Sequence, residues 1–166
     1  RHLNADYFLM NQCDGIWSEE VAAEQEQTTR SLDEPAVMIT TSGSTAEPKA
    51  AVVTMRQMLA RITQEQQEFG LSEEDTILVS TPLYHALATR MILTSAYTGN
   101  RMVVMRGFTP EKWIHAVAWD DVTYAISVPA QLAQISAFLQ EHEERKEELV
   151  SLKMLISTTS YLPPAI

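Results

Sequence analysis

Residues 40–50 read TTSGSTAEPKA, small hydroxyl residues closing on a lysine, set between the apolar runs AVMI and AVVT. Ser42, Gly43, Ser44 and Thr45 carry little side-chain bulk. Successive backbone N–H groups can therefore turn toward one anion while the hydroxyls add further donors. Lys49 supplies the compact positive charge that a phosphate site needs. The run is not the nucleotide P-loop, which requires a Gly directly before the Lys and a Ser or Thr directly after it. Here Pro48 and Ala50 flank Lys49. The flanking runs predict a connection from strand to strand, with no helix N-terminus to reinforce an anion grip. Small hydroxyl residues also build ordinary hairpin turns, so residue type alone leaves a phosphate grip and a plain turn both open.

Three further stretches stand where chemistry can be done, because each directly follows a short apolar run. Thr81-Pro82-Leu83-Tyr84-His85 follows TILVS, Val128-Pro129 follows VTYAIS, and Thr158-Thr159-Ser160-Tyr161 follows LKMLIS. The apolar runs, with RMVVM at 101–105, are β-branched and short enough for buried strands. Between them lie helical patterns at 86–97, after Pro110, and from Pro129 to about Glu148. Both prolines suit a first helical turn, where a missing N–H costs little. A further helix is predicted over 55–69, with Met58, Leu59, Ile62 and Phe69 on one face and Gly70 as its stop. Strands alternating with helices predict an α/β fold, a parallel sheet joined by right-handed crossovers and covered by helices. Ligands of such sheets sit outside the carboxyl ends of the strands. That rule places Tyr84 and His85 at the rim, where an imidazole can donate to a carboxylate or acyl-phosphate oxygen. A surface histidine beside an ordinary turn, and a plain helix start at Val128-Pro129, are the bland alternatives.

Composition sets the outer limits. At 166 residues, 45% hydrophobic and 20% charged, the chain reads as one soluble globular domain. A net charge of -10 argues against nucleic acid or an anionic membrane surface as partner. It does not exclude ATP, since the hydroxyl run carries only Glu47 against Lys49. The single Cys13 forms no internal disulfide, so a reducing cytoplasm is the expected compartment. No apolar run reaches membrane-spanning length, and His115 and His142 lack the spaced partners of a metal site. Residues 1–35 read as the tail of a preceding element, YFLM included, followed by an acidic solvated linker; residues 36–166 read as the domain. The opening Arg1 suggests a piece of something longer. Nothing in the sequence fixes an oligomeric state.

Residues 36–166 resemble the central part of the large N-terminal domain of the adenylate-forming superfamily, the acyl-CoA synthetases and their relatives. The phosphate signature of that family reads TSG-[ST]-TG-x-PKG, followed by a short strand and a TH pair. Thr41, Ser42, Gly43, Ser44, Thr45, Pro48, Lys49 and Thr54 match it, while Ala46, Ala50 and Met55 replace Gly, Gly and His. PLYH is similar to the PLFH segment, which implies that Tyr84 and His85 line an acyl pocket. Val128, Pro129 and Leu132 resemble the VP-x-x-L segment on the helix that backs that pocket. Ser157, Leu162 and Pro163 match SGGAPLP, a turn along the adenine, which implies that Thr158, Thr159 and Ser160 contribute to nucleotide binding. Threonine replaces both glycines there, at a cost of about 1 to 2 kcal/mol wherever the backbone is left-handed.

The resemblance implies activation of a small carboxylic acid with ATP and Mg2+, release of pyrophosphate, and transfer to a thiol, coenzyme A. Lys49 and His85 would then be the catalytic residues. The chain stops before the family's YG-x-TE stretch and its lysine-bearing C-terminal domain, so this piece alone is expected to be inactive. The substitutions fall on ligand-facing motif positions, which leaves a non-catalytic binding or scaffold module as the alternative.

Overall fold

The structure, a computed structural model, describes residues 7–10, 31–41 and 49–162, with backbone alone at 7–10, 40, 41 and 49. The chain divides into two compact units, one of Cys13–Leu71 and one of Arg1–Gln12 with Ser72–Ile166.

In the first unit, Pro35–Thr41 (β2) and Lys49–Thr54 (β3) form an antiparallel hairpin. Its last register pair is Thr41 opposite Lys49. Helix α1, Met55–Phe69, follows at once. Thr54 caps it: its hydroxyl accepts from Gln57 N at 3.3 Å, and its own N–H donates to Gln57 Oε1 at 2.9 Å. Capping thus accounts for the threonine of the TH pair without any ligand. Gly70 ends the helix in the left-handed region at φ 64. Residues 31–34, within the stretch read from sequence as solvated linker, are exposed and also brace the start of α1. Met55 N and Arg56 N donate to Glu34 O and Leu32 O, and the Arg56 guanidinium grips both oxygens of Asp33 at 2.8 and 3.0 Å.

The second unit carries the expected sheet. Thr76–Val79 (β4), Arg101–Met105 (β5), Tyr124–Ser127 (β6) and Met154–Ser157 (β7) are parallel. Tyr7–Met10 (β1) adds an antiparallel strand on β5, giving the order β1-β5-β4-β6-β7. The sheet is therefore mixed at one edge, and YFLM, read as part of the tail of a preceding element, pairs with the chain's own β5. Helix α2, Ala86–Thr98, connects β4 to β5; α3, Pro110–Trp119, connects β5 to β6; α4, Pro129–Glu141, leads to β7. Pro110 and Pro129 open their helices as expected.

Period-two alternation divides the strands between two buried faces. Leu78 lies opposite Val103 and Ala125, and this row packs with Trp113, Ile114 and Val117 of α3 and Leu132 and Ile135 of α4. Trp113 is fully buried in that core. Ile77, Val79, Met102, Val104 and Ile126 point the other way and are buried too. The β4-to-β5 crossover runs opposite to the β5-to-β6 crossover, so right-handedness puts α2 on that second face.

The last helix, Pro129–Glu141, is shorter than the predicted span to about Glu148. His142, at φ -132 and ψ 66, leaves the helical region, and Glu143–Leu149 continue as a 3-10 helix. Stacking of its ring on Phe138 and acceptance by Phe138 O of an Nδ1 hydrogen bond at 3.0 Å hold His142 in that position.

At the amino ends of the strands, the Asp75 carboxylate is the joint. Oδ2 accepts from Ser72 N and Ser72 Oγ, and Oδ1 accepts from Thr123 Oγ1 at 2.8 Å and Lys153 Nζ at 3.0 Å. Its carbonyl accepts from Arg101 N. One buried residue thereby ties the beginnings of β4, β5, β6 and β7 together.

Candidate functional site

The carboxyl ends of β4, β6 and β7 are adjacent in the sheet and release three connections side by side. The connection after β4 leads to α2 on one face; the one after β6 leads to α4 on the other. Connections that part in opposite directions from neighbouring strands leave a crevice between them, the usual ligand position of an open α/β sheet.

Ser80 and Thr81 are buried at the root of the first connection. Pro82–His85 then turns, with His85 N donating to Pro82 O at 3.0 Å. Thr89 secures it from inside α2, its hydroxyl donating to Leu83 O at 3.2 Å and His85 O at 3.3 Å. His85 is the N-cap of α2 but makes no side-chain cap bond. Its ring is exposed and tilts against Tyr84 at a centroid distance of 4.5 Å, and Tyr84 is 82% exposed. Tyr84 and His85 thus stand together at the rim, as their position after TILVS predicted.

Val128 is the N-cap of α4 and Pro129, buried, its first residue. Valine has no side-chain acceptor, so only the return half of a capping box exists here: Gln131 Oε1 accepts from Val128 N at 3.3 Å. The same carboxamide reaches across to the end of β4. Ser80 Oγ donates to Oε1 at 3.3 Å, and Nε2 donates to Ser80 O at 3.2 Å. Sequence reasoning singled out Val128 and Pro129 and passed over this bridge. A Gln three residues after an N-cap signals the bond to Val128 N, whereas the reach to Ser80 has no local signal in the sequence.

After β7, Thr158 N donates to Ser127 O at 3.3 Å, keeping the turn on β6. Thr159 then adopts φ 79. This is the left-handed region, where a β-branched residue is strained by about 1 to 2 kcal/mol. The backbone thus takes the glycine conformation that SGGAPLP suggests, while the sequence carries a threonine. Glycine loses more freedom on folding, by about 0.5 to 1 kcal/mol, which offsets part of that strain. Thr159→Gly is therefore expected to raise stability by about 0.5 to 1 kcal/mol, seen as a higher urea midpoint. An unchanged or lower midpoint would mean that other contacts compensate the threonine.

Thr158, Thr159, Ser160 and Tyr161 are half-buried or exposed at this rim. Residues 80–85, 127–131 and 157–162 contain no Asp or Glu. In a chain of net charge -10, that leaves a rim of hydroxyls, backbone N–H groups and one imidazole, which does not repel an anion. Ser42, Gly43, Ser44 and Thr45 lie outside the described residues; Thr41 and Lys49 are placed as the closing pair of the β2-β3 hairpin. The described residues do not gather three or more His, Cys, Asp or Glu around a metal position. None of their helices is long and apolar enough to cross a membrane.

This fold is that of a known class. The AMP-binding enzyme family matches residues 5–166, and the chain belongs to that family. It is 29% identical to feruloyl-CoA synthase of Amycolatopsis sp over 133 residues, 80% of this chain and 26% of that protein. It is 32% identical to a dimodular nonribosomal peptide synthase of Bacillus subtilis (strain 168) over 83 residues, 50% of this chain and 4% of that protein. Among solved structures, a malonyl-CoA ligase with methylmalonyl-CoA and AMP bound superposes with a TM-score of 0.73 at 25% identity, covering 80% of this chain and 29% of that one. O-succinylbenzoate coenzyme A synthetase of Bacillus subtilis, in complex with AMP, shares the fold with a TM-score of 0.70 at 23% identity, over 80% of this chain and 26% of that one. The chain spans about a quarter of the length of the feruloyl-CoA synthases it matches.

Proposed function

We propose that the full-length protein activates a small carboxylic acid as its acyl-adenylate and passes the acyl group to a thiol, coenzyme A. A carboxylate oxygen attacks the α-phosphorus of ATP, the bond to the bridging oxygen breaks, and pyrophosphate leaves. The thiolate sulfur then attacks the acyl carbon and AMP leaves. The observation that carries this reading is the acid-free rim at the switch point, in a chain of the AMP-binding family whose relatives include CoA synthases and ligases.

In this reading Thr41, Ser42, Gly43, Ser44, Thr45 and Lys49 bind the departing pyrophosphate, where negative charge develops. His85 donates to the carboxylate or to the acyl-phosphate oxygen, and Tyr84, Val128 and Pro129 wall the acyl group. Thr158, Thr159 and Ser160 lie beside the adenine. Magnesium would neutralise phosphate charge when bound. The described residues offer it no cluster of three or more His, Cys, Asp or Glu ligands.

Thr159 favours one alternative, a module that keeps the scaffold without catalysis, because its Cβ stands at a left-handed position where the family pattern has glycine. Acid-dependent exchange of labelled pyrophosphate into ATP separates the two. The full-length protein, given a panel of short-chain, aryl and dicarboxylic acids, is expected to exchange with at least one of them. No exchange with any acid, and no heat on titration with ATP and magnesium, would overturn the enzyme reading in favour of the module.

A further inference from the structure

We propose that Gln131 is a positioning residue: its carboxamide fixes the separation of the Tyr84-His85 connection from the Val128-Pro129 turn, and thereby the width of the acid-binding crevice. The inference rests on the acid-activating reading for its substrate and on geometry for the rest.

Gln131 is 9% exposed and lies on the first turn of α4, facing the end of β4. Its partners are 51 residues away at Ser80 and three residues away at Val128. Val128 N can only donate and Ser80 O can only accept, so one orientation of the carboxamide satisfies both. Oxygen faces Val128 N and the Ser80 hydroxyl; nitrogen faces Ser80 O. The bridge therefore spans the point at which the two connections diverge onto opposite faces of the sheet. Tyr84 and His85 begin four residues beyond one anchor, and Pro129 directly follows the other. A side chain that joins backbone groups just beyond the ends of two different strands sets a distance, whereas the apolar packing of Leu132 and Ile135 beneath it is non-directional.

Gln131→Met keeps the volume and removes all three bonds, leaving Ser80 O and Val128 N without that partner. In the full-length protein it is expected to raise KM for the acid about tenfold, with KM for ATP and kcat within about threefold. A side chain that served stability alone would lower the active fraction, and so apparent kcat, with KM unmoved. Gln131→Glu gives a second readout. An ionised carboxylate cannot donate to Ser80 O, but a protonated carboxyl can, and burial raises its pKa. The KM defect of Gln131→Glu should therefore shrink as pH falls from about 8 to about 6, while that of Gln131→Met should not.

Hydrogen exchange by mass spectrometry completes the test without reference to turnover. Gln131→Met should speed exchange in peptides covering 81–89 and 127–131 and leave those covering 113–119 unchanged. A variant with unchanged acid KM, or with unchanged exchange at both connections, overturns the positioning role. A wild-type protein that exchanges no pyrophosphate with any acid overturns the substrate assignment instead, and the hydrogen-exchange result then decides by itself whether Gln131 holds the two connections.

Discussion

Replacing Asp75 with alanine is expected to lower stability by about 2 to 4 kcal/mol, because one carboxylate, 6% exposed, serves four hydrogen-bond donors. Ser72 N, Ser72 Oγ and Thr123 Oγ1 would lose a charged acceptor. Lys153, largely exposed, would recover water, which keeps the loss below the sum of four separate bonds. Asp75→Asn retains one acceptor oxygen and should fall between the two. Equilibrium urea unfolding measures both, and a midpoint unchanged in Asp75→Ala would show that the strand beginnings need no such joint.

The same joint has a pH signature. Burial by itself would raise the Asp75 carboxyl, but the bonds from Ser72 N, Lys153, Thr123 and the Ser72 hydroxyl outweigh it and hold the group below its ordinary value of 3.8. A carboxyl depressed in the folded state contributes stability that is present above the unfolded pKa. That contribution is lost as pH falls through the lower folded value. Wild type should thus show an acid limb below about pH 4 that is smaller in Asp75→Asn, measured as urea midpoints across a pH series.

How far the residues announced this structure depended on the range over which each signal acts. Runs such as TILVS and RMVVM became β4 and β5 because strands buried on both faces are continuously apolar, a property local to a few residues. Pro110 and Pro129 marked helix starts for an equally local reason. YFLM carried no record of its partner, since pairing with Arg101–Met105 is made across the whole intervening chain. The stretch to about Glu148 read as a continuation of the helix from Pro129; the ring of His142 on Phe138, which accompanies the break, is a contact that a local pattern does not encode. Of the candidate site, the rim positions of Tyr84 and His85 followed from topology, but the bridge from Gln131 to Ser80 needed two strands to be adjacent in space. The left-handed turn at Thr159 was legible only through the resemblance to SGGAPLP, because the glycine that normally advertises such a backbone is missing from the residues themselves.

Lys49→Ala in the full-length protein is expected to lower acid-dependent pyrophosphate exchange by about 100- to 1000-fold, mainly in kcat. The hairpin explains why so much should rest on one residue. In a nucleotide P-loop a helix begins at the lysine, and its N-terminal dipole shares the work of holding phosphate. Here Lys49 begins a strand that runs to Thr54, and α1 starts only at Met55. The anion grip proposed for residues 41–49 therefore has three sources: backbone N–H groups, hydroxyls and this cation. The first two carry partial charges; Lys49 alone carries a full one, in a chain whose net charge is -10. Its interaction grows as negative charge moves onto the leaving pyrophosphate, so its loss should appear in kcat more than in KM for the acid. Lys49→Arg should recover only part of the rate, since a planar guanidinium does not replace a compact ammonium in a tight backbone cradle. If Lys49→Ala exchanges at the wild-type rate, the hydroxyl run is a plain hairpin turn and the pyrophosphate is held elsewhere.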